Sequence, residues 1–80
     1  MIKSCDYEEE LGQAIRERRE QLEITPEKFG RIIGKDTAYI TSVENGVAKL
    51  DLHQMLMMAR ALNMRLSVLF AVVEFRLLDD

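Results

Sequence analysis

Apolar residues recur along this 80-residue chain mostly at helical rather than alternating spacing, and the breaks between the stripes mark separate short elements. Leu11, Ile15 and Leu22 place a first helix over about Tyr7 to Leu22. Its acids gather at the start and its arginines come later, as the helix macrodipole favours. Phe29, Ile32 and Ile33 form a second stripe, and Ile40 and Val43 a third. In LHQMLMMARALN the inward positions are Leu52, Met55, Leu56, Ala59 and Leu62, which leaves His53 facing solvent. The last segment, RLSVLFAVVEFRLLDD, is ambiguous. Leu66, Leu69, Phe70, Val73 and Leu77 fit a helix, whereas Leu66, Val68, Phe70 and Val72 fit a strand as well; length favours the helix.

The punctuation is sharpest between Thr25 and Gly46. The Thr25 hydroxyl can cap a helix, and Pro26 suits the first helical position because the N–H it lacks would have no partner there. Gly34 follows the last periodic residue, where a left-handed backbone favours a residue without Cβ. Asp36 can then accept hydrogen bonds from the N–H of Ala38 or Tyr39 and start the next helix two residues later. A sharp angle between two short helices follows. Gly30, in mid-helix, costs about 0.5–1 kcal/mol relative to Ala, which close approach of the second helix would explain. Asp51 is a good N-cap for the methionine-rich segment.

In these residues the chain resembles the Xre/Cro family of helix-turn-helix DNA-binding domains. The matching positions run in order from Leu11, Gly12, Ile15 and Arg16 through Gly30, Gly34, Tyr39 and Ile40 to Glu44, Asn45, Gly46, Leu69 and Phe70. The resemblance implies an all-α, five-helix lambda-repressor-like domain spanning residues 1–80. The motif would lie at 25–46 and a C-terminal dimerisation segment, helix or less readily strand, at about 65–78.

Thr37 to Asn45 becomes by resemblance the recognition helix, placed in the major groove. Thr37, Ala38, Thr41 and Ser42 fall at base-reading positions. None carries the Arg, Lys, Asn or Gln that makes bidentate base contacts, so specificity would lean on methyl contacts and DNA shape. The family's frequent phosphate-binding Gln is Pro26 here. Lys35, Tyr39, Asn45 and Lys49, with Arg31 nearby, remain for phosphates; ordinary surface packing is the alternative for Tyr39. Arg19 and Glu44 would form a partly buried structural ion pair between the first and third helices. Arg18 reads as part of a solvated charged face.

Net charge is −3 at pH 7, which is unpromising for a DNA binder until it is divided. Residues 1–10 set Lys3 against Asp6, Glu8, Glu9 and Glu10, whereas residues 11–50 carry a net +1. Binding per monomer should be weak and shallow in salt dependence, since phosphate neutralisation supplies most non-specific affinity. At this size a domain buries only about 60–65% of its unfolded surface, so a partner is expected to help stability. Val68, Val72, Phe75 and Leu78 supply apolar surface in excess of what one domain needs, and a two-fold homodimer would bury it. Met57, Met58 and Met64 are surplus to the inward stripe and fit either an adaptable interface or irregular core gaps.

One cysteine, Cys5, allows no internal disulfide and reads as an inert thiol; with a single histidine, no metal cluster or cofactor is expected. Nothing approaches the ~18–20 apolar residues of a membrane span, so a cytoplasmic location and no membrane contact are expected. No nucleophile, base and orienting group fall together, so an enzyme is not expected. Two functions stay open. The first is a homodimeric repressor-type transcription regulator on a pseudo-palindromic operator of double-stranded DNA, similar to restriction-modification controller or antitoxin-type proteins. The second is an antitoxin or adaptor that keeps the fold, binds a cognate toxin or other protein, and has weak or no DNA binding.

Overall fold

The protein is described by a computed structural model over residues 6–78. Cys5 lies outside the described residues. Five helices succeed one another: α1 (Asp6–Gln21), α2 (Pro26–Ile33), α3 (Thr37–Glu44), α4 (Leu52–Ala61) and α5 (Leu66–Leu78). No strand occurs among the described residues. α1 packs against α3 and α5, and α2 bridges α3 and α4. Ile15, Phe29, Ile40, Met58 and Leu69, one from each helix, are fully buried at the point where these contacts meet. Each short helix is thus held mainly by tertiary packing of its apolar face, as expected where an isolated helix of this length would be marginal.

The ends follow local chemistry. Thr25 Oγ1 accepts from Lys28 N at 3.1 Å and Pro26 opens α2, while Gly34 closes it at φ 74°. Asp36 Oδ1 accepts from Tyr39 N at 2.8 Å and opens α3. At α4 the cap is reciprocal: Asp51 accepts from Gln54 N, and Gln54 Oε1 accepts from Asp51 N. Close approach accounts for two glycines. A Cβ on Gly30 would lie 2.5 Å from the Lys35 carbonyl oxygen, so the neighbour is the turn itself rather than the body of the second helix. A Cβ on Gly12 would lie 2.3 Å from the Val43 carbonyl oxygen, which sets how tightly α1 docks on α3.

Four expected inward positions turn outward, among them Phe70 of α5, which is 39% exposed. In α2 the buried arc is Phe29, Gly30 and Ile33, which leaves Ile32 half exposed. In α4 it is Met55, Met58 and Ala59, followed by Leu62, so Leu52 and Leu56 face solvent. Both stripes of α4 share Met55, Ala59 and Leu62. Packing chose the one that buries Met58, which is core, while Met57 remains partly exposed.

The C-terminal segment is a helix, and the strand alternative is set aside. Leu69 and Val73 are buried, Leu66 and Leu77 are half-buried, and all lie on one helical face. Arg65 supplies no side-chain cap; the helix begins on its carbonyl, which accepts from Val68 N and Leu69 N. Two arginines of the charged surface then fasten elements together. Arg76 pairs with Glu17 and, at 3.8 Å, with Glu10, joining α5 to α1. Arg18, expected on a solvated face, donates from Nε to the Leu62 carbonyl at 3.0 Å and from Nη2 to that of Asn63 at 3.3 Å. These carbonyls lie at the end of α4, where Asn63 is left-handed at φ 56°, so Arg18 ties α1 to the α4–α5 turn.

Candidate nucleic-acid interface

α2 and α3 are held at a fixed angle by a turn of three residues, Gly34 to Asp36, whose geometry the Gly30 gap permits. Against α1, α3 is held by Arg19 and Glu44. Arg19 Nε lies 2.6 Å from Glu44 Oε2 and Nη2 lies 3.0 Å from Oε1, a two-point contact between side chains less than a tenth exposed. Arg19 Nη1 also donates to the Ile24 carbonyl at 2.8 Å. The hydrogen bonds to Glu44 raise the Arg19 pKa against the opposing effect of burial, so the guanidinium keeps its charge in this enclosed position. Gly46, at φ 77°, brings the end of α3 to within contact of the Glu9 backbone.

This scaffold leaves the outer edge of α3 open. Thr37, Ala38 and Thr41 are exposed together on it, at i, i+1 and i+4. Arg31, Lys35, Asn45 and Lys49 are also exposed; the first two precede α3 in sequence and the last two follow it. Two expected contacts change character. Ser42 is half-buried and its Oγ donates to the Tyr39 carbonyl at 2.7 Å, so its proton is engaged within the helix and is not free for a base. The Ser42 carbonyl in turn accepts from Val47 N and Ala48 N, which folds the chain after α3. Tyr39 is half-buried with its phenolic oxygen turned inward, without accessible area or hydrogen-bond partner. A phosphate cannot reach that oxygen in this conformation. What Tyr39 presents outward is its ring, 5.1 Å from Lys35 Nζ, a cation–π contact that positions the lysine.

Burial, and secondarily the charge of Asp51, raises the Tyr39 pKa above the ordinary phenol value of 10.0. Because the folded state disfavours the phenolate, stability is full below the unfolded pKa and falls as pH rises through the folded value. Alkaline titration followed by phenolate absorbance should therefore show one tyrosine ionising late, with stability falling over the same range. Tyr39→Phe removes an unpaired buried hydroxyl, so we expect unchanged or slightly higher stability, by up to about 1 kcal/mol, together with loss of the late titration and undiminished DNA affinity.

The geometry of two capped helices across a glycine turn, with an exposed polar edge on the second, is matched by comparison with known proteins. A helix-turn-helix family model matches residues 15–69, more than half of the chain. The chain belongs to the Xre/Cro-like helix-turn-helix family. These are DNA-binding transcription regulators. Among solved structures, the restriction-modification controller protein C.AhdI from Aeromonas hydrophila is similar at 31% identity, covering 78% of this chain and 94% of that one, with a TM-score of 0.73. A point mutant of the restriction-modification controller protein C.Esp1396I covers both chains fully at 17% identity and a TM-score of 0.79. The clp gene regulator ClgR from Corynebacterium glutamicum reaches a TM-score of 0.85 at 17% identity, over 89% of this chain and 76% of that one. At 17% these last two show the shared fold alone. No curated protein matched the sequence significantly. No single helix among the described residues is long and apolar enough to cross a membrane.

Sequence reasoning passed over two residues that hold this helix-turn-helix scaffold in place. Gly12 entered only as a matching position, although its missing Cβ is what lets α1 seat α3. Arg18 looked like surface because its partners are backbone carbonyls, which no pattern of charged side chains reveals.

Proposed function

We propose that the protein is a sequence-specific transcription regulator that acts as a homodimer, placing two α3 helices in successive major grooves of a pseudo-palindromic operator about 34 Å apart. The observation that carries this reading is the exposed edge of α3, Thr37, Ala38 and Thr41, with cationic or polar residues before and after the helix. Thr37 and Thr41 would touch thymine methyls or share hydroxyl hydrogen bonds, and Ala38 would add an apolar contact. Arg31, Lys35, Asn45 and Lys49 would meet phosphates and set the register. Ser42 and Tyr39 serve the shape of the motif more than the contact. Similarity to a restriction-modification controller supports a regulator, acting by binding rather than by catalysis.

The weak charge of the motif makes the second copy important. Val68, Val72, Phe75 and Leu78 of α5 are all exposed, Phe75 by 71% and Leu78 by 66%, and a two-fold contact would cover them. The adaptor reading, which would pack a partner on the surplus methionines and the C-terminal apolar face, loses Met58 to the core and keeps Met57.

Thr37→Gln tests the base-reading assignment. Glutamine can bond adenine in two places, so the preferred operator sequence should shift by about 1–3 kcal/mol at one base pair per half-site, while thermal stability stays unchanged. An unaltered preference would remove Thr37 from the base edge.

A further inference from the structure

The start of α1 reaches the loop that follows α3, and Gly46 is what lets it come so close. A Cβ on Gly46 would lie 2.9 Å from Glu9 Cα and 3.0 Å from Glu9 Cγ. Contact through Cγ as well as Cα lays the Glu9 side chain along the loop, with the carboxylate carbon bonded directly to the contacting Cγ. Glu9 is exposed and makes no ion pair among the described residues, whereas its neighbour Glu10 faces Arg76 at 3.8 Å. The end of α3 and this same loop carry Asn45 and Lys49, both exposed and both proposed to meet phosphates. A carboxylate without an ion pair among the described residues therefore stands beside the contacts to the DNA backbone.

Resting on the DNA-binding reading above, we propose that Glu9 is an electrostatic brake on phosphate binding, which holds the affinity of a single chain for DNA low. Placement rather than net charge gives Glu9 this role. Other acids are neutralised or stand elsewhere: Glu44 is closed on Arg19, Glu17 on Arg76, and Glu74 lies on α5, which packs chiefly on α1 and α4. A carboxylate brought against phosphates repels them and retains cations that binding would otherwise release. It therefore weakens binding and flattens its salt dependence together. Lys49, exposed on the same loop, supplies the attraction that Glu9 offsets. Weak single chains are in turn what make occupancy depend on two half-sites bound at once.

The test titrates the parent, Glu9→Gln, Glu9→Lys and a charge-matched control, Glu74→Gln, with a mixed-sequence duplex from about 50 to 200 mM salt, where phosphate contacts change affinity strongly. Glu9→Gln should bind about two- to five-fold more tightly at the low end, the worth of one nearby surface charge. Glu9→Lys should go further, and the slope of affinity against salt should steepen in the same order, by about one for each unit of charge. Glu74→Gln should match the parent. Melting temperature separates the brake from a structural role. A carboxylate at the start of a helix stabilises it, so Glu9→Gln should melt slightly lower while binding more tightly. Unchanged or weaker affinity for Glu9→Gln, an unchanged slope, or an equal gain in Glu74→Gln overturns the brake and leaves the regulator standing. A parent that binds no duplex at the lowest salt overturns both.

Discussion

Replacing Glu44 by alanine is expected to lower the stability of the domain by about 3–5 kcal/mol, the usual consequence of removing one partner of a buried ion pair. The loss comes from Arg19, not from the missing carboxylate contacts as such. Its guanidinium would stay enclosed between α1 and α3 with only the Ile24 carbonyl to receive a hydrogen bond. Because a domain of this size holds only a modest margin of stability, the variant should be largely unfolded or melt far below the parent. Arg19→Ala should be similarly costly, whereas Arg19→Met with Glu44→Leu should recover most of the loss, since paired apolar residues can replace a buried ion pair at little cost. Thermal and urea unfolding of the four proteins make the comparison, and an unchanged melting temperature for Glu44→Ala would show the pair to be energetically idle.

Phe75→Asp is expected to abolish dimerisation without harming the fold. The side chain is 71% exposed in the single chain, so the monomer loses little packing. In the dimer two copies disappear at once, at about 1.5–3 kcal/mol for each buried phenylalanine. A weakening of about 10²- to 10⁴-fold follows, before any cost of placing two carboxylates in an apolar seam. Operator affinity should fall with it, because a motif this weakly charged depends on two half-sites bound together. Sedimentation and DNA titration of the same sample read both effects. A dimer that survives the substitution at micromolar concentration would place the interface elsewhere.

The parts of the fold visible in the sequence are those governed by local chemistry. Thr25, Pro26, Gly34, Asp36 and Asp51 act within three residues of themselves, and the caps appear where those residues stand. The resemblance supplied the five-helix order and the placing of Arg19 against Glu44. What escaped depends on rotation and on distant partners. α4 is apolar over most of its circumference, so two overlapping stripes compete, and only packing decides that Met58 turns in and Leu52 out. Ile32 is turned aside because α2 docks through Gly30, a choice that hydrophobic periodicity cannot weigh. α5 is apolar on both faces, one for the core and one exposed, which is why helix and strand spacings fitted it alike. At the candidate site the exposed residues Thr37, Ala38 and Thr41 could be placed from the motif. The inward turn of the Tyr39 hydroxyl and the capture of the Ser42 proton could not, because both are side-chain rotamer outcomes set by neighbours.

The central claim, a dimer reading a two-fold symmetric site, is tested most directly by selecting bound sequences from a random duplex pool at about 100 mM salt, where electrostatic attraction to phosphate still contributes. The expected result is an enriched motif with two inverted half-sites whose centres lie about one helical turn apart. Recovery of no enriched sequence, or of a single half-site without its inverted copy, would contradict it.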